Sequence, residues 1–409
     1  MNMKTEPGSA AEQAGPRTRM LVIATLGFAV TFWAWALISP LAPSLATKLG
    51  LSSFQQSLIV AVPVIVGSLG RIPIGALTDR FGGRLMLPIV SVATIVPVLF
   101  LTFFGDQSLA TLLIGGFFLG IGGTSFAVGV PFVSAWFPPE RRGLAIGIFG
   151  VGMVGTAISA FTTVRLVEFG SSATPFLVTA AALAIYAVVA WLLLRDAPGQ
   201  VRPTTSMAKR VGETLKLGVT WQAAALYATL FGGYVAFSVY LPSLLKAEYD
   251  LSIGDASNRM AGFVILAVIM RPVGGFLSDK IGPVPVLATC LGAVVFGALI
   301  DATSPALFPI ATIAYLVMAA GLGAGSGATF ALVALLSPAG KVGSVTGVVG
   351  AAGGLGGFVP PLLMGVVYGA TGSYTIGFLL LALVAAAVLV FTLTSIRSVL
   401  AKRDAVEVQ

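Results

Sequence analysis

The sequence predicts an all-α membrane protein with twelve transmembrane helices, arranged as two repeats of six. Of the 409 residues, 57% are hydrophobic and only 9% are charged, and the mean hydropathy is +1.00. A soluble domain carries roughly 25% charged residues. The apolar runs have the length of membrane helices, which excludes the short alternating segments of a porin-type barrel. A residue pattern that recurs after 200 positions indicates the repeat.

The apolar segments divide evenly between the two halves of the chain. The first six fall at about 20–46, 54–78, 84–105, 108–137, 142–168 and 173–195, and the next six at about 217–245, 256–279, 283–303, 306–335, 341–368 and 373–397. The longest polar connection follows the sixth segment. The predicted organisation is an N-terminal tail (1–19), an N-terminal bundle (20–195), a linker (196–216), a C-terminal bundle (217–397) and a C-terminal tail (398–409).

The distribution of positive charge predicts the orientation in the membrane. The net charge is +8, and 17 of the 23 Lys and Arg residues lie in termini and loops that share one face. Four lie on the other face: Lys48, Arg165, Lys246 and Arg259. This asymmetry follows the positive-inside rule and predicts that both termini are cytoplasmic. It also argues against nucleic acid as the partner of the positive charge.

The N-terminal segment and the cysteine content add two smaller expectations. The segment from Met1 to Arg19 is polar and lacks the short apolar region and cleavage site of a signal peptide, so we interpret it as a cytoplasmic tail. Cys290 is the single cysteine and lies in an apolar run, so no intramolecular disulfide is expected.

The remaining two arginines, Arg71 and Arg271, lie in the middle of apolar segments and are 200 residues apart. An arginine inside a membrane helix costs a few kcal/mol or more, so it usually faces a cavity or a partner. Matching positions in two repeats predict one central site, lined from both halves. The charge predicts a negatively charged ligand.

The residues that follow each arginine repeat at the same offset and form two glycine-rich charged loops. They are Gly75, Asp79, Arg80, Gly82 and Arg84 in the first loop, and Gly275, Asp279, Lys280 and Gly282 in the second. The first loop resembles the signature loop of the major facilitator superfamily, which implies two six-helix repeats around a central substrate. The resemblance also implies that Asp79 caps the start of the eleventh helix, near Gly343. By the repeat, we expect Asp279 to cap the fifth helix, so these residues would gate conformational change. The alternative is an ordinary charged turn.

Three glycine-rich helices indicate a family within that superfamily. A Phe126-Ala127 step follows a glycine cluster in the fourth helix, and glycine runs occupy 147–155 in the fifth helix and 347–360 in the eleventh. Together with the paired arginines, these runs resemble the nitrate/nitrite porters over essentially the whole chain. The resemblance implies an anion site at Arg71, Arg271, Phe126, Tyr227 and Phe231, with the glycines around Gly150 and Gly353. Tight helix packing is the alternative explanation for the glycines, and lipid-facing or core packing for the aromatic residues.

Met153 departs from the family pattern. The porters usually carry asparagine after Gly-x-Gly in the fifth helix, where this chain has Met153. Since that asparagine belongs to the anion-binding region, the substrate could be another small anion, such as cyanate or a short carboxylate. The arginines themselves suit a small planar oxyanion, because a guanidinium is planar, permanently charged and donates paired hydrogen bonds.

The distribution of acids bears on energy coupling. All 15 Asp and Glu residues fall in loops, tails or helix ends, and histidine is absent. Proton-driven carriers commonly hold a titratable group in the membrane, and two facing arginines repel each other without an anion. The pattern therefore favours anion exchange. Proton symport through water, a tyrosine or a helix-end acid such as Glu168 is the alternative.

Other classes of function fit the sequence less well. No nucleophile–base pair, metal cluster or phosphate-binding loop is visible, so we expect no enzyme, no catalytic residue, no metal and no cofactor. A drug or cation exporter would need a membrane carboxylate, and a non-transporting sensor of the same fold is a further alternative. The expected partners are a small inorganic anion and the lipid bilayer, with a monomer as the functional unit.

Overall fold

The computed structural model describes residues 14–198, 207–338, 342–396 and 398. Twelve helices in this part of the chain are long and apolar enough to cross a membrane, as the sequence predicted. They are α1 (Gly15–Leu49), α2 (Ser53–Phe81), α3 (Gly83–Phe104), α4 (Leu109–Trp136), α5 (Ala145–Phe169), α6 (Thr174–Leu193), α7 (Gly218–Tyr249), α8 (Ile253–Ile281), α9 (Pro283–Asp301), α10 (Leu307–Leu336), α11 (Ser344–Thr371) and α12 (Thr375–Ile396). The described residues contain no strand.

The first helix is longer than the sequence predicted, and the predicted linker contains a short helix. Helical structure begins at Ala14, six residues before the first predicted segment, because helical backbone continues beyond the apolar run into polar residues. Within the predicted linker, Met207–Thr214 forms a short helix. The face of the molecule that carries this helix, the start of α1 and the end of α12 is called the linker side below.

The loops α2–α3 and α8–α9 confirm the repeat at the level of the backbone. Gly82 has φ +86° and Gly282 has φ +85°, and L side chains rarely adopt this conformation. Each glycine closes the helix before it, since its N–H donates to the carbonyl of Thr78 or Ser278 respectively. Equal geometry at equal offset shows that the two halves fold as copies of one unit.

The halves contact each other directly on the side opposite the linker. Ser39 Oγ of α1 donates to the carbonyl of Val239 in α7 at 2.5 Å. Arg165 of α5 donates to Asn258 Oδ1 of α8 at 3.0 Å. Between α2 and α11, a Cβ added to Gly365 would overlap the Ser57 side chain. The halves are therefore closed against each other on this side.

Toward the linker side, matching glycines face open space. A Cβ placed on Gly147 of α5 or on Gly347 of α11 would meet no described atom within 4 Å. The space lies beside the two helices whose glycine runs resemble the porter signatures. Both helices continue from this level toward the centre of the molecule, where the arginines lie.

Candidate functional site

Breaks in helical geometry cluster at the level of the two arginines. Helix α2 is interrupted at Gly70, directly before Arg71. Helix α4 narrows to a 3₁₀ segment at Gly120–Thr124, and α5 does the same at Val151–Val154. Irregular backbone deep in a membrane protein is tolerated where it lines a cavity or is covered by protein, and 3₁₀ turns inside helices often mark functional hinges. The glycine clusters place such backbone around a central site.

Arg71 is buried and bonded to both halves. Its side chain is 9% exposed. Nη1 donates to the carbonyl of Gly350 in α11 at 2.9 Å, and Nε lies 3.4 Å from the carbonyl of Gly123 in α4. The guanidinium carbon is 5.2 Å from the ring centroid of Phe126. Arg71 is thus placed by carbonyl oxygens at the boundary between the halves, with an aromatic ring beside it.

Arg271 reaches the boundary from the other half. Nη1 donates to Met153 Sδ of α5 at 2.8 Å, and Nη2 donates to the hydroxyl of Tyr227 in α7 at 2.6 Å. Its guanidinium carbon lies 5.4 Å from the Phe231 ring centroid and 5.8 Å from that of Phe330. Since the Tyr227 oxygen accepts from Arg271, its own proton remains available to a ligand.

The positive charge of this centre has no carboxylate counterpart among the described residues. The salt bridges Lys48–Asp106 and Arg259–Asp255 lie away from the site. The described part also holds no cluster of three metal-ligating side chains. Arg71 is buried and Arg271 is partly buried, and charges interact more strongly where water is largely excluded, so this cationic pair attracts an anion.

Aromatic rings form flat walls next to Arg271. Tyr227 and Phe231 stack with centroids 4.6 Å apart and ring planes 1° apart. Phe330 of α10 meets Tyr227 edge-on at 4.7 Å. The burial of Tyr227 and Phe231 excludes the lipid-facing alternative. Both rings pack in the core and also lie beside the guanidinium of Arg271. The position of Phe330 was not anticipated from the sequence, since the residue 200 positions earlier is Val130.

The glycines of α5 and α11 serve different purposes. A Cβ on Gly353 would lie 2.2 Å from the Tyr227 ring, so glycine is required for α11 to admit this ring. A Cβ on Gly150 would meet nothing within 4 Å. Gly150 therefore borders space, as expected where a ligand approaches backbone. Packing explains Gly353, and it does not explain Gly150.

Several polar contacts near the arginines were missed by the sequence interpretation. The hydroxyls of Thr156 in α5 and Tyr234 in α7 lie 3.3 Å apart across the two halves, and both residues are buried. A narrow cavity beside Arg71 is also lined by Ser68, Phe32 and Trp35. Phe32 and Trp35 are not among the site residues predicted from the sequence. A glycine cluster indicates that another helix or a ligand approaches the backbone closely. It does not indicate which side chains of the neighbouring helices lie there.

The charged loops are placed on the linker side, at the ends of α2 and α8. Arg80 lies over the ring of Phe81 at 5.3 Å, and Lys280 lies over Phe276 at 4.5 Å. The backbone N–H of Arg84 donates to Asp196 at 3.0 Å. The side chains around the two helix starts that Asp79 and Asp279 are expected to cap, 139–144 and 339–343, lie outside the described residues. The capping contacts therefore stay predictions.

Similarity to known proteins agrees with this geometry. The model of the Major Facilitator Superfamily matches residues 24–258 and 223–407. Solved structures with the same fold include a bacterial homologue of the human lysosomal transporter Spinster in an inward-facing, occupied conformation, with TM-score 0.73, 19% identity and coverage of 95% of this chain and 98% of that one. A D-xylose-proton symporter has TM-score 0.73 and 16% identity, over 92% and 97% of the two chains.

Sequence relatives identify the branch of this superfamily. The "Probable nitrate/nitrite transporter NarK2" of Mycobacterium tuberculosis is 48% identical over 381 residues, which is 92% of this chain and 96% of the relative. The "Nitrite extrusion protein" of Bacillus subtilis is 36% identical over 370 residues, 90% of this chain and 91% of the relative. The chain is a multi-pass membrane protein and belongs to the nitrate/nitrite porters of the major facilitator superfamily.

Proposed function

We propose that this protein carries nitrate and nitrite across the membrane by alternating access. The observation that carries the proposal is the pair Arg71 and Arg271, which come from different halves, each bond across the boundary between the halves and have no described carboxylate partner. Both arginines belong to one chain, so a monomer contains a complete site. The names of the relatives support the substrate class.

The site residues divide into three groups. Arg71 and Arg271 supply charge and hydrogen bonds, and Tyr227 adds a hydroxyl donor beside Arg271. Phe126, Phe231 and the Tyr227 ring form the walls that fit a flat ion. Gly150 leaves open space beside the backbone for the ligand, Gly353 admits the Tyr227 ring, and Met153 lies against Arg271. These assignments support a planar oxyanion held between two guanidinium planes.

The proposed orientation places the linker side in the cytoplasm of a bacterium, with the protein in the inner membrane. The excess of Lys and Arg on the linker side supports this orientation. The conformation is then closed toward the outside, where α1 meets α7 and α5 meets α8. From here on, the side opposite the linker is called the outer side.

Exchange of one anion for another is the proposed mode of coupling. Two arginines that approach each other without an anion repel, so an occupied site crosses more readily than an empty one. The charged loops act at the cytoplasmic side, where Asp79 and Asp279 are proposed to cap α11 and α5 when that side closes. Gly82 and Gly282 allow the tight turns between the helices, and Gly75 and Gly275 lie within α2 and α8 before them.

One observation favours a second candidate substrate. Met153 Sδ occupies a hydrogen-bonding position on Arg271, where the porters usually present an asparagine. A thioether is a weak acceptor and offers no donor to an oxyanion. This contact favours a small anion other than nitrate, such as cyanate or a short carboxylate.

Uptake of labelled nitrate by vesicles that contain the purified protein tests the function. Vesicles loaded with nitrite should accumulate label faster than vesicles loaded with sulfate. Equal, slow entry in both would refute nitrate/nitrite exchange. Faster entry driven by internal cyanate or a short carboxylate, but not by nitrite, would identify the second candidate.

A further inference from the structure

One buried acid is not used by the proposed anion site. Asp301 ends α9 on the outer side and is 3% exposed. Neither of its carboxylate oxygens has a hydrogen-bond partner among the described residues. From the sequence it counts as a helix-end acid, which usually reaches water. The fold instead encloses it between helices.

The groups around Asp301 do not neutralise it. Tyr249 at the end of α7 and Tyr315 of α10 lie within electrostatic range, and Glu248 acts on the same two tyrosines. In the segment before α12, burial raises the pKa of Tyr374 above its usual range, so this group stays neutral. Helix α12 carries no titratable residue.

The cation on the neighbouring helix is already paired. In the first turns of α8, Arg259 Nε donates to Asp255 at 3.1 Å. Arg259 therefore forms its salt bridge with Asp255 and not with Asp301. The remaining cation at these helix ends is Lys246, one turn before Tyr249 on α7, and among the described residues it makes no hydrogen bond to Asp301. The C-terminus of α9 adds a partial negative charge of its own.

These surroundings decide the charge of Asp301 in this conformation. An ionised carboxylate that is buried without a donor or a cation is strongly disfavoured, whereas the neutral acid loses much less on burial. Ionisation would require water, and water would reach Asp301 if the end of α7 moved away. Val239, ten residues before that end on the same helix, makes the contact with Ser39 that closes the outer side.

We propose that Asp301 is a proton-binding site that couples closure of the outer side to uptake of one proton from that side. The neutral acid fits the closed form, and the hydrated carboxylate fits the form in which α7 has separated from α1. Low pH on the outer side then favours the closed form, and high pH favours the open form. The inference rests on the proposed alternating access, but not on the identity of the anion.

A labelling experiment without nitrate tests the proposal. The full chain, with Cys290→Ser, receives a reporter at Ser243→Cys and is labelled with a maleimide over a series of pH values. Ser243 is buried in α7, one turn beyond Val239, and its hydroxyl has no partner among the described residues. A second reporter, Ser171→Cys, lies in the exposed α5–α6 loop and corrects for the pH dependence of the thiol reaction.

The expected result is a rise in corrected Ser243→Cys labelling with pH, by at most about tenfold per pH unit, as for one linked proton. Asp301→Asn, which mimics the neutral acid, should hold labelling at its low, acidic level at every pH. Glu168→Gln removes an exposed acid from the same side and should keep the wild-type profile.

Two results would overturn the proposal. One is a flat corrected profile in the parent protein, which needs no Asp301 variant and so does not depend on the folding of that variant. The other is a normal profile in Asp301→Asn. Neither result bears on nitrate uptake, so failure of this inference and failure of the proposed function are separable.

Discussion

Arg271 of the C-terminal half donates from Nη1 to the thioether sulfur of Met153 in the N-terminal half, at 2.8 Å. The contact connects one of the two central arginines to the one position where the chain departs from the porter pattern. Since Tyr227 binds Nη2 of the same guanidinium, an anion that engages the full fork of Arg271 competes with Met153.

Met153→Asn should change selectivity. If nitrate is the substrate, the added amide donor should retain or improve nitrate binding, and if the substrate is less polar, the same change should weaken its binding. Competition by a panel of anions against labelled nitrate measures this, with both forms tested at equal expression. A panel in which no anion distinguishes the two forms would show that residue 153 does not contact the ligand.

Tyr227→Phe should weaken nitrate binding while keeping the aromatic wall. The change removes a hydroxyl that accepts from Arg271 at 2.6 Å and that can donate to the ligand. A hydrogen bond to a charged group is worth about 1.5–3 kcal/mol, so the apparent affinity should fall about tenfold or more.

Tyr186→Phe is the matched control for this change. The Tyr186 hydroxyl is buried in α6 and has no hydrogen-bond partner among the described residues, so its loss should leave transport unchanged. Dose–response curves for nitrate uptake compare the two variants. Equal affinity in Tyr227→Phe and wild type would remove the hydroxyl from the site.

Gly353→Ala should destabilise the site by overpacking. The new methyl group would lie 2.2 Å from the Tyr227 ring, and forced repacking costs about 1–3 kcal/mol. Both the melting temperature and nitrate uptake should fall. Gly292→Ala in α9 is the control, since a Cβ there meets nothing within 4 Å. Similar behaviour of the two variants would mean that Tyr227 moves aside without consequence.

The sequence predicted the fold well because its signals are local. Apolar length defines each helix, and the loop glycines Gly82 and Gly282 share a positive φ that their matching positions implied. The arginines were also local signals, since a charge in an apolar run is conspicuous. Their meeting at one boundary followed from the repeat, and the aromatic residues beside them from the family resemblance.

What the sequence did not reveal depends on packing between distant segments. Phe330 has no aromatic counterpart in the first repeat, and the Thr156–Tyr234 contact joins residues 78 positions apart. Asp301 was counted with the other helix-end acids, because burial at a helix end is decided by the helices that pack against it, here α10 and α12. Nothing in the local sequence distinguishes it from Glu168.

Asp79→Asn should favour the inward-open state and slow exchange without abolishing nitrate binding. The proposed cap on α11 forms only when the cytoplasmic side closes, and a helix-terminus interaction is worth roughly 0.3–1 kcal/mol, more if partly buried. A shift of 1.4 kcal/mol changes a two-state balance about tenfold. The readout is labelling from the cytoplasmic side of Gly347→Cys, with Cys290 replaced.

Gly347 suits this reporter because a Cβ there meets no described atom within 4 Å. Labelling should increase in Asp79→Asn, and in Asp279→Asn by the repeat. Unchanged labelling together with unchanged exchange would leave Asp79 as a plain turn residue.

The most direct test of the central claim is uptake of labelled nitrate by vesicles containing Arg71→Lys or Arg271→Lys. Each change keeps the positive charge but replaces the planar fork with an ammonium that cannot present paired donors to a flat oxyanion. If both arginines form one anion site, transport should be strongly impaired in both variants at normal expression. Wild-type uptake in both well-expressed lysine variants would contradict the account.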